Sequence, residues 1–211
     1  MSFLEVVTLL EQRLAGELPG EVAQDRLAPI PRRQWPAGFN PARVRHAAGL
    51  LLIYPDRNRA HIVLTLRADS LGRHSGQVSL PGGVVDPGET YEQAALREAH
   101  EEVALNAAAV RVLGALTPID IPVSGFRLHP IVAAAGAPPE LTPSDGEVAR
   151  ILHVPLDDLL DVAHLRSSER TRDGVTLTVP AFHVAGVEIW GATAMVLAEF
   201  LALLDWAGPV T

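Results

Sequence analysis

The chain has 211 residues, 25 acidic side chains against 17 basic ones and a formal net charge of −8, and every basic residue is arginine. With neither cysteine nor lysine present, thiol nucleophiles, disulfides, thiolate metal cages, Schiff bases and lysine phosphate clamps are excluded, so any metal ion must sit on oxygen or imidazole. The acidic balance argues against nucleic acid as partner, because that binding draws on Lys and Arg, and the 48% hydrophobic content predicts one folded domain over 1–211.

Phe3, Leu4, Val6, Val7, Leu9, Leu10 and Leu14 follow a helical rhythm that Gly16 to Pro19 ends. Pro29, Pro31, Pro36 and Pro41 then make a surface linker, so 1–45 reads as a helix with a Pro-rich lead-in. Ala47 to Tyr54 predicts a buried strand, Pro55 to Arg59 a turn, and Ile62 to Leu66 the partner strand of a hairpin. Ser70 to Gly88 carries five glycines and predicts a strand embedded in loops where backbone approaches something closely. Thr90 with Gln93 has capping-box spacing ahead of a helix over Tyr91 to Val103.

Ala109 to Leu116 and Phe126 to Ala134 predict strands around a loop, Thr117 to Gly125. A Pro-rich stretch over Pro138 to Gly146, a short strand near Ile151, a short helix from Pro155 to Asp161 and a hairpin from Thr171 to Trp190 follow. Ala192 to Trp206 predicts a closing amphipathic helix. No apolar run reaches the roughly 18 residues of a membrane span, and Met1 to Gly16 lacks the basic flank of a secretory signal. A cytoplasmic protein without membrane association is expected.

Chemistry concentrates on the Tyr91 to Val103 helix. Glu98, Glu101 and Glu102 fall at i, i+3 and i+4 on one face, with Ala95, Leu96, Ala99 and Val103 beside them. Three carboxylates there repel one another unless something compensates, and a hard divalent cation that also binds substrate phosphates does so. Arg97 lies at i,i+4 from Glu101, and Glu89 enters from the preceding turn.

Gly83, five residues, Glu89, seven residues, then Arg97, Glu98, Ala99, His100, Glu101, Glu102, Val103, Ala104 and Leu105 resemble the Nudix box, GX5EX7REUXEEXGU, with U aliphatic. Every charged position of the pattern is filled over residues 83–105. Ala99 is small for its aliphatic place. Ala104 replaces a glycine suited to a left-handed helix end, at a cost on the order of 1 kcal/mol.

The resemblance implies a Nudix-type αβα sandwich, an α/β fold with a mixed central sheet, and a pyrophosphohydrolase cleaving a nucleoside diphosphate linked to another group. It implies Mg²⁺ or Mn²⁺ on Glu98 and Glu102, with Glu101 a third ligand or a base. Arg97 is implied as an orienter, and the Gly83 carbonyl as a further ligand. The box holds six acids against one arginine, a net −5 of the chain's −8, so much of the acidity belongs to this expected metal site.

Upstream, Val63, Leu64, Thr65, Leu66, Arg67 and Ala68, then Gly76, then Leu80, Pro81, Gly82 and Gly83 resemble the signature of the coenzyme A pyrophosphatase branch, LLTXR, Ser or Ala, then X3RX3GX3FPGG. Val63, Gly72 and Leu80 depart from it, and Arg73 stands one position after the missing arginine. Glu147 and Val148, then Val154, Pro155 and Leu156, and Ile189 to Ala194, IWGATA, resemble later segments of that branch.

Coenzyme A, cleaved to adenosine 3′,5′-bisphosphate and 4′-phosphopantetheine, is therefore the first expected substrate. ADP-ribose, a dinucleoside polyphosphate or a nucleoside triphosphate is the alternative. A non-catalytic binding module is disfavoured by the full set of box carboxylates. Arg67, Arg73 and His74 are the basic side chains nearest the expected diphosphate, and Glu147 is a candidate base or further ligand. Trp190 reads as core before it reads as an adenine platform. The apolar first helix serves the core or a second copy equally well, which leaves a homodimer open.

Overall fold

The computed structural model describes residues 1–68, 76–144, 146–172 and 174–209. Helix α1 (Phe3–Leu14) starts at Ser2, whose hydroxyl accepts from the Glu5 N–H while the Glu5 carboxylate takes the Ser2 N–H in return, a reciprocal cap. The proline-rich lead-in holds an element that the proline spacing does not announce, a short helix α2 (Gly20–Gln24).

Strand β1 (Arg45–Asp56) turns at Arg57 and Asn58 into β2 (Arg59–Arg67), with Ile53 opposite Ile62. The expected hairpin is therefore present, with longer strands and a tighter turn. The glycine-rich stretch yields two short strands, β3 (Val78–Ser79) and β4 (Gly82–Val84). Helix α3 (Tyr91–Val103) has the expected bounds and both halves of the Thr90/Gln93 capping box.

Strands β5 (Val110–Ala115) and β7 (Phe126–Ala135) fall where expected, but the loop between them contains a further strand, β6 (Ile119–Ile121). Next come β8 (Val148–Pro155), eight residues rather than a short strand, and α4 (Leu156–Leu160). The expected C-terminal hairpin is a three-stranded meander, β9 (Leu165–Arg172), β10 (Val175–Val184) and β11 (Val187–Trp190). Only β10 and β11 have the apolar content that marks strands; β9, LRSSERTR, is polar and is held by its ladder to β10.

The main sheet runs β3-β2-β1-β7-β5, with β4 on β1, β6 on β7 and β8 on β2. It is mixed: β1 and β7 are parallel, Arg45 opposite Phe126 through Ile53 opposite Ala134, and the other pairs are antiparallel. Side chains alternate across it. Leu50, Leu52 and Tyr54 join Ala94, Ala95, Ala99 and Val103 under α3, while Leu51 and Ile53 join Val6 and Leu10 of α1 on the opposite face. This is the expected layered α/β arrangement.

The closing helix α5 (Ala192–Ala202) is not amphipathic, because every residue from Thr193 to Leu201 is buried. Its one carboxylate, Glu199, is fully buried and accepts from the Gly20 and Thr117 N–H groups, both at 3.2 Å, and from Gln24 Nε2 at 2.8 Å. Those donors satisfy a charge that hydrophobic periodicity places in solvent. Among the described residues, no helix is long and apolar enough to cross a membrane.

Ala104 closes α3 in the left-handed region, φ 56° and ψ 29°. Ala104→Gly removes the Cβ clash of that conformation and is expected to stabilise the fold by about 1 kcal/mol. In a chain of this size that raises the thermal midpoint by about 2–4 °C, which differential scanning calorimetry would read.

Candidate active site

Backbone contact between β4 and β1 positions the site. Ala47, Ala48 and Gly49 pair with Val84, Gly83 and Gly82, and the Leu50 N–H donates to the Pro81 carbonyl at 2.8 Å. A Cβ on Gly82 would lie 2.3 Å from the Ala48 carbonyl oxygen, and one on Gly83 would lie 2.4 Å from the Glu98 carboxylate. Both glycines answer the close approach expected from the sequence, the first against backbone and the second against an acidic side chain.

Arg97 ties the helix face together. Its Nε and Nη2 donate to the two oxygens of Glu89 at 2.8 and 3.1 Å, a bidentate pair, and Nη2 also reaches the Val84 carbonyl at 2.9 Å. Nη1 donates to Glu98 at 3.0 Å and to Glu101 at 3.1 Å. The expected Arg97 to Glu101 contact is thus one of five hydrogen bonds to four partners. Hydrogen bonds from Arg97 and from the Asp86 N–H hold the Glu89 carboxyl below its ordinary pKa.

The acids of the stripe differ in exposure. Glu101 is more than half exposed and Glu98 half-buried. Glu102 is buried, with the Gly82 N–H donating to its Oε2 at 3.1 Å. Burial pushes Glu98 up, against the pull of Arg97, and the charges of Glu101 and Glu147 add to the rise. Burial also pushes Glu102 up to about 7, against the Gly82 N–H; Glu98 and Glu147 raise it further and Arg67 opposes them. Glu98, Glu102, Glu147 and Arg67 therefore share one electrostatic neighbourhood.

That neighbourhood draws on three distant pieces of chain. Arg67 ends β2, with its N–H on the Gln77 carbonyl at 3.0 Å. Glu147 directly precedes β8, and its carbonyl accepts from the Ala68 N–H at 2.9 Å. The Pro-rich stretch leading to Glu147 is laced to the end of α3, Thr142 N–H to Val103 O at 3.0 Å and Ser144 N–H to Glu102 O at 2.8 Å. Spacing alone does not reveal the Gly82 amide on Glu102 or this lacing, because the partners lie 20 or more residues apart.

Arg73 and His74 lie outside the described residues, as does the departure at Gly72. Trp190 is half-buried, and the Arg170 guanidinium covers its ring at 4.3 Å from the centroid. Among the described residues, no three acid or imidazole side chains already enclose an ion-sized space; Arg97 holds Glu98 and Glu101 instead. The donor set still suits a hard cation: burial and neighbouring carboxylates raise Glu98 and Glu102, and a divalent ion relieves both effects.

A model of the NUDIX domain matches residues 44–174. A protein named Uncharacterized Nudix hydrolase NudL, from Yersinia pestis (strain Pestoides F), is 38% identical over 154 residues, covering 72% of this chain and 76% of the relative. Among solved structures, a Nudix hydrolase from M. smegmatis, RenU, matches with a TM-score of 0.55 and 25% identity over 80% of this chain and 89% of that one. A MutT/nudix family protein from Enterococcus faecalis, 15% identical with a TM-score of 0.50 over 82% and 66% of the two chains, shares the fold.

Proposed function

The chain belongs to the Nudix family of hydrolases, which cleave phosphorus anhydrides, and on that premise we propose that it splits the diphosphate of coenzyme A or its acyl forms. Adenosine 3′,5′-bisphosphate and 4′-phosphopantetheine are the products. Glu98 and Glu102 would hold Mg²⁺ or Mn²⁺, with Glu101 a third ligand or a base. When bound, the ion neutralises phosphate charge and lowers the pKa of water for in-line attack.

The chain's own residues do the rest. The bidentate Arg97 fixes Glu89 and keeps Glu98 and Glu101 on one face. The Gly82 amide aims Glu102. Glu147 and Glu101 are the candidate bases, each a carboxylate next to the reacting diphosphate. Arg67, with Arg73 and His74, supplies the positive contacts that an otherwise acidic site needs, and a guanidinium fork suits bidentate phosphate binding.

The observation that supports coenzyme A over other diphosphates is Arg67. It is the arginine of the upstream segment resembling the coenzyme A branch, and its charge acts directly on Glu102. Products from coenzyme A, acetyl-coenzyme A, ADP-ribose and a dinucleoside tetraphosphate, each with and without Mg²⁺, test the reading. Magnesium-dependent release of adenosine 3′,5′-bisphosphate from the coenzyme A compounds is expected. Cleavage of ADP-ribose or the dinucleotide with coenzyme A left intact would overturn it.

A further inference from the structure

Helix α5 carries two polar side chains, Thr193 and Glu199, and both are buried. Glu199 holds backbone amides from α2 and from the β5–β6 connection. Thr193 holds a backbone carbonyl: its hydroxyl donates to Val78 O at 2.9 Å, across 115 positions of sequence. Gly191, at φ 65° and ψ −139°, turns the chain from β11 into α5 without a side-chain cap. So near the start of a helix a threonine hydroxyl has no helical carbonyl four residues back to bond, and this one bonds a neighbouring element instead.

The carbonyl it meets lies on β3, a two-residue strand at the edge of the main sheet whose strand partner is β2. The Arg67 N–H donates to the Gln77 carbonyl at 3.0 Å, so the next carbonyl, that of Val78, faces the open edge rather than β2. Thr193 fills the place that a further strand would take, and a buried carbonyl left there without a partner is costly.

Both groups that favour the charged form of Glu102 are tied to this strand. Gly82, whose N–H donates to Glu102, follows Val78 by four residues, a span of about 14 Å at full extension. The Leu50 N–H on the Pro81 carbonyl pins that span next to Gly82, and Thr193 pins its other end. Arg67 is tied more directly: its N–H is on Gln77, and Leu66, where the β2–β8 register shifts, lies opposite Val78. Arg67 and the Gly82 amide both pull the Glu102 carboxyl down against its burial.

We propose that Thr193 is a positioning residue for the cation site: by holding the open edge of β3 it sets the Gly82 amide and Arg67 against Glu102. The inference rests on the reading above that Glu98 and Glu102 hold the ion. Titration of the full chain with Mn²⁺, followed by electron paramagnetic resonance, tests it alongside thermal midpoints of the same proteins. Thr193→Val keeps the volume, removes the donor and is expected to weaken Mn²⁺ binding about fivefold, the size of a coupling carried through one hydrogen-bonded network. Thr193→Ser keeps the hydroxyl and is expected to bind within about twofold of the wild type. Phe200→Leu, in the core of the same helix, is expected to lower the midpoint and leave Mn²⁺ affinity within about twofold. In a Glu102→Gln background, Thr193→Val is expected to change Mn²⁺ affinity less than about twofold, because the ligand it positions no longer holds the ion. Thr193→Ala, which opens room for water on the Val78 carbonyl, carries the same expectation as Thr193→Val and replaces it if that variant does not fold.

Mn²⁺ affinity in folded Thr193→Val equal to that of the wild type would overturn the positioning role. So would a loss shared by Thr193→Ser and Phe200→Leu in proportion to their midpoints. Wild-type binding that depends on Glu98 and Glu102 whatever stands at position 193 keeps the cation site and removes the role of Thr193. Mn²⁺ binding indifferent to both carboxylates removes the cation site and the role together. Binding that depends on Thr193 in a protein that leaves coenzyme A intact keeps the role and removes coenzyme A.

Discussion

Glu102→Gln is expected to lower kcat about a thousandfold and, in metal-free protein at pH 8, to raise stability. The first effect follows from loss of a charged oxygen ligand whose ion supplies several kcal/mol of transition-state stabilisation; about 4 kcal/mol corresponds to that factor. The second follows from burial, which pushes the Glu102 carboxyl up to about 7 from an ordinary 4.5. The native state then binds this proton more tightly than the unfolded chain does. The stabilisation is fully present below about pH 4.5 and is lost as pH rises through 7.

Above pH 7 the buried carboxylate has cost the metal-free protein an amount on the order of 3 kcal/mol at most. Glutamine, close in shape and able to accept from the Gly82 amide, does not incur that cost. Urea unfolding in EDTA at pH 5 and pH 8 should show the variant gaining on the wild type chiefly at the higher pH. A variant that turns over at wild-type rate, or that gains nothing at pH 8, contradicts the place given to Glu102.

The two box glycines are expected to fail differently. Gly82→Ala puts a Cβ 2.3 Å from the Ala48 carbonyl oxygen and 2.6 Å from Gly49 Cα. Backbone cannot yield as a side chain does, so β4 must part from β1. A loss of about 3 kcal/mol is expected, which lowers the thermal midpoint by about 6–12 °C. Gly83→Ala meets the Glu98 carboxylate, the far end of a flexible side chain. Its midpoint should stay near the wild type while kcat falls, because Glu98 is displaced from the face it shares with Glu102. Full activity in Gly83→Ala, with an unchanged midpoint, would separate the Glu98 position from catalysis.

Much of the site was legible because its chemistry is local. The capping box at Thr90, the one-face spacing of Glu98, Glu101 and Glu102, the reach of Arg97 and the left-handed end at Ala104 all lie within one helix and its caps. Long-range partners were not legible. Nothing near Glu199 in the sequence announces the Gly20 and Thr117 amides that let it sit in the core of α5, so that helix reads as amphipathic. Strand β9 is polar and exists through its pairing to β10. The stack of Tyr91 on His129 and the hydrogen bond between His46 and His129 join residues 38 and 83 positions apart, which no local pattern connects.

On the proposed function, the α3 carboxylates form a divalent-cation site. Free Mn²⁺, followed by electron paramagnetic resonance as protein is added, tests it without reference to any substrate. Wild type is expected to deplete the free signal, and Glu98→Gln and Glu102→Gln are each expected to weaken that binding at least tenfold with the fold intact. Mn²⁺ binding equal in all three proteins would contradict the account.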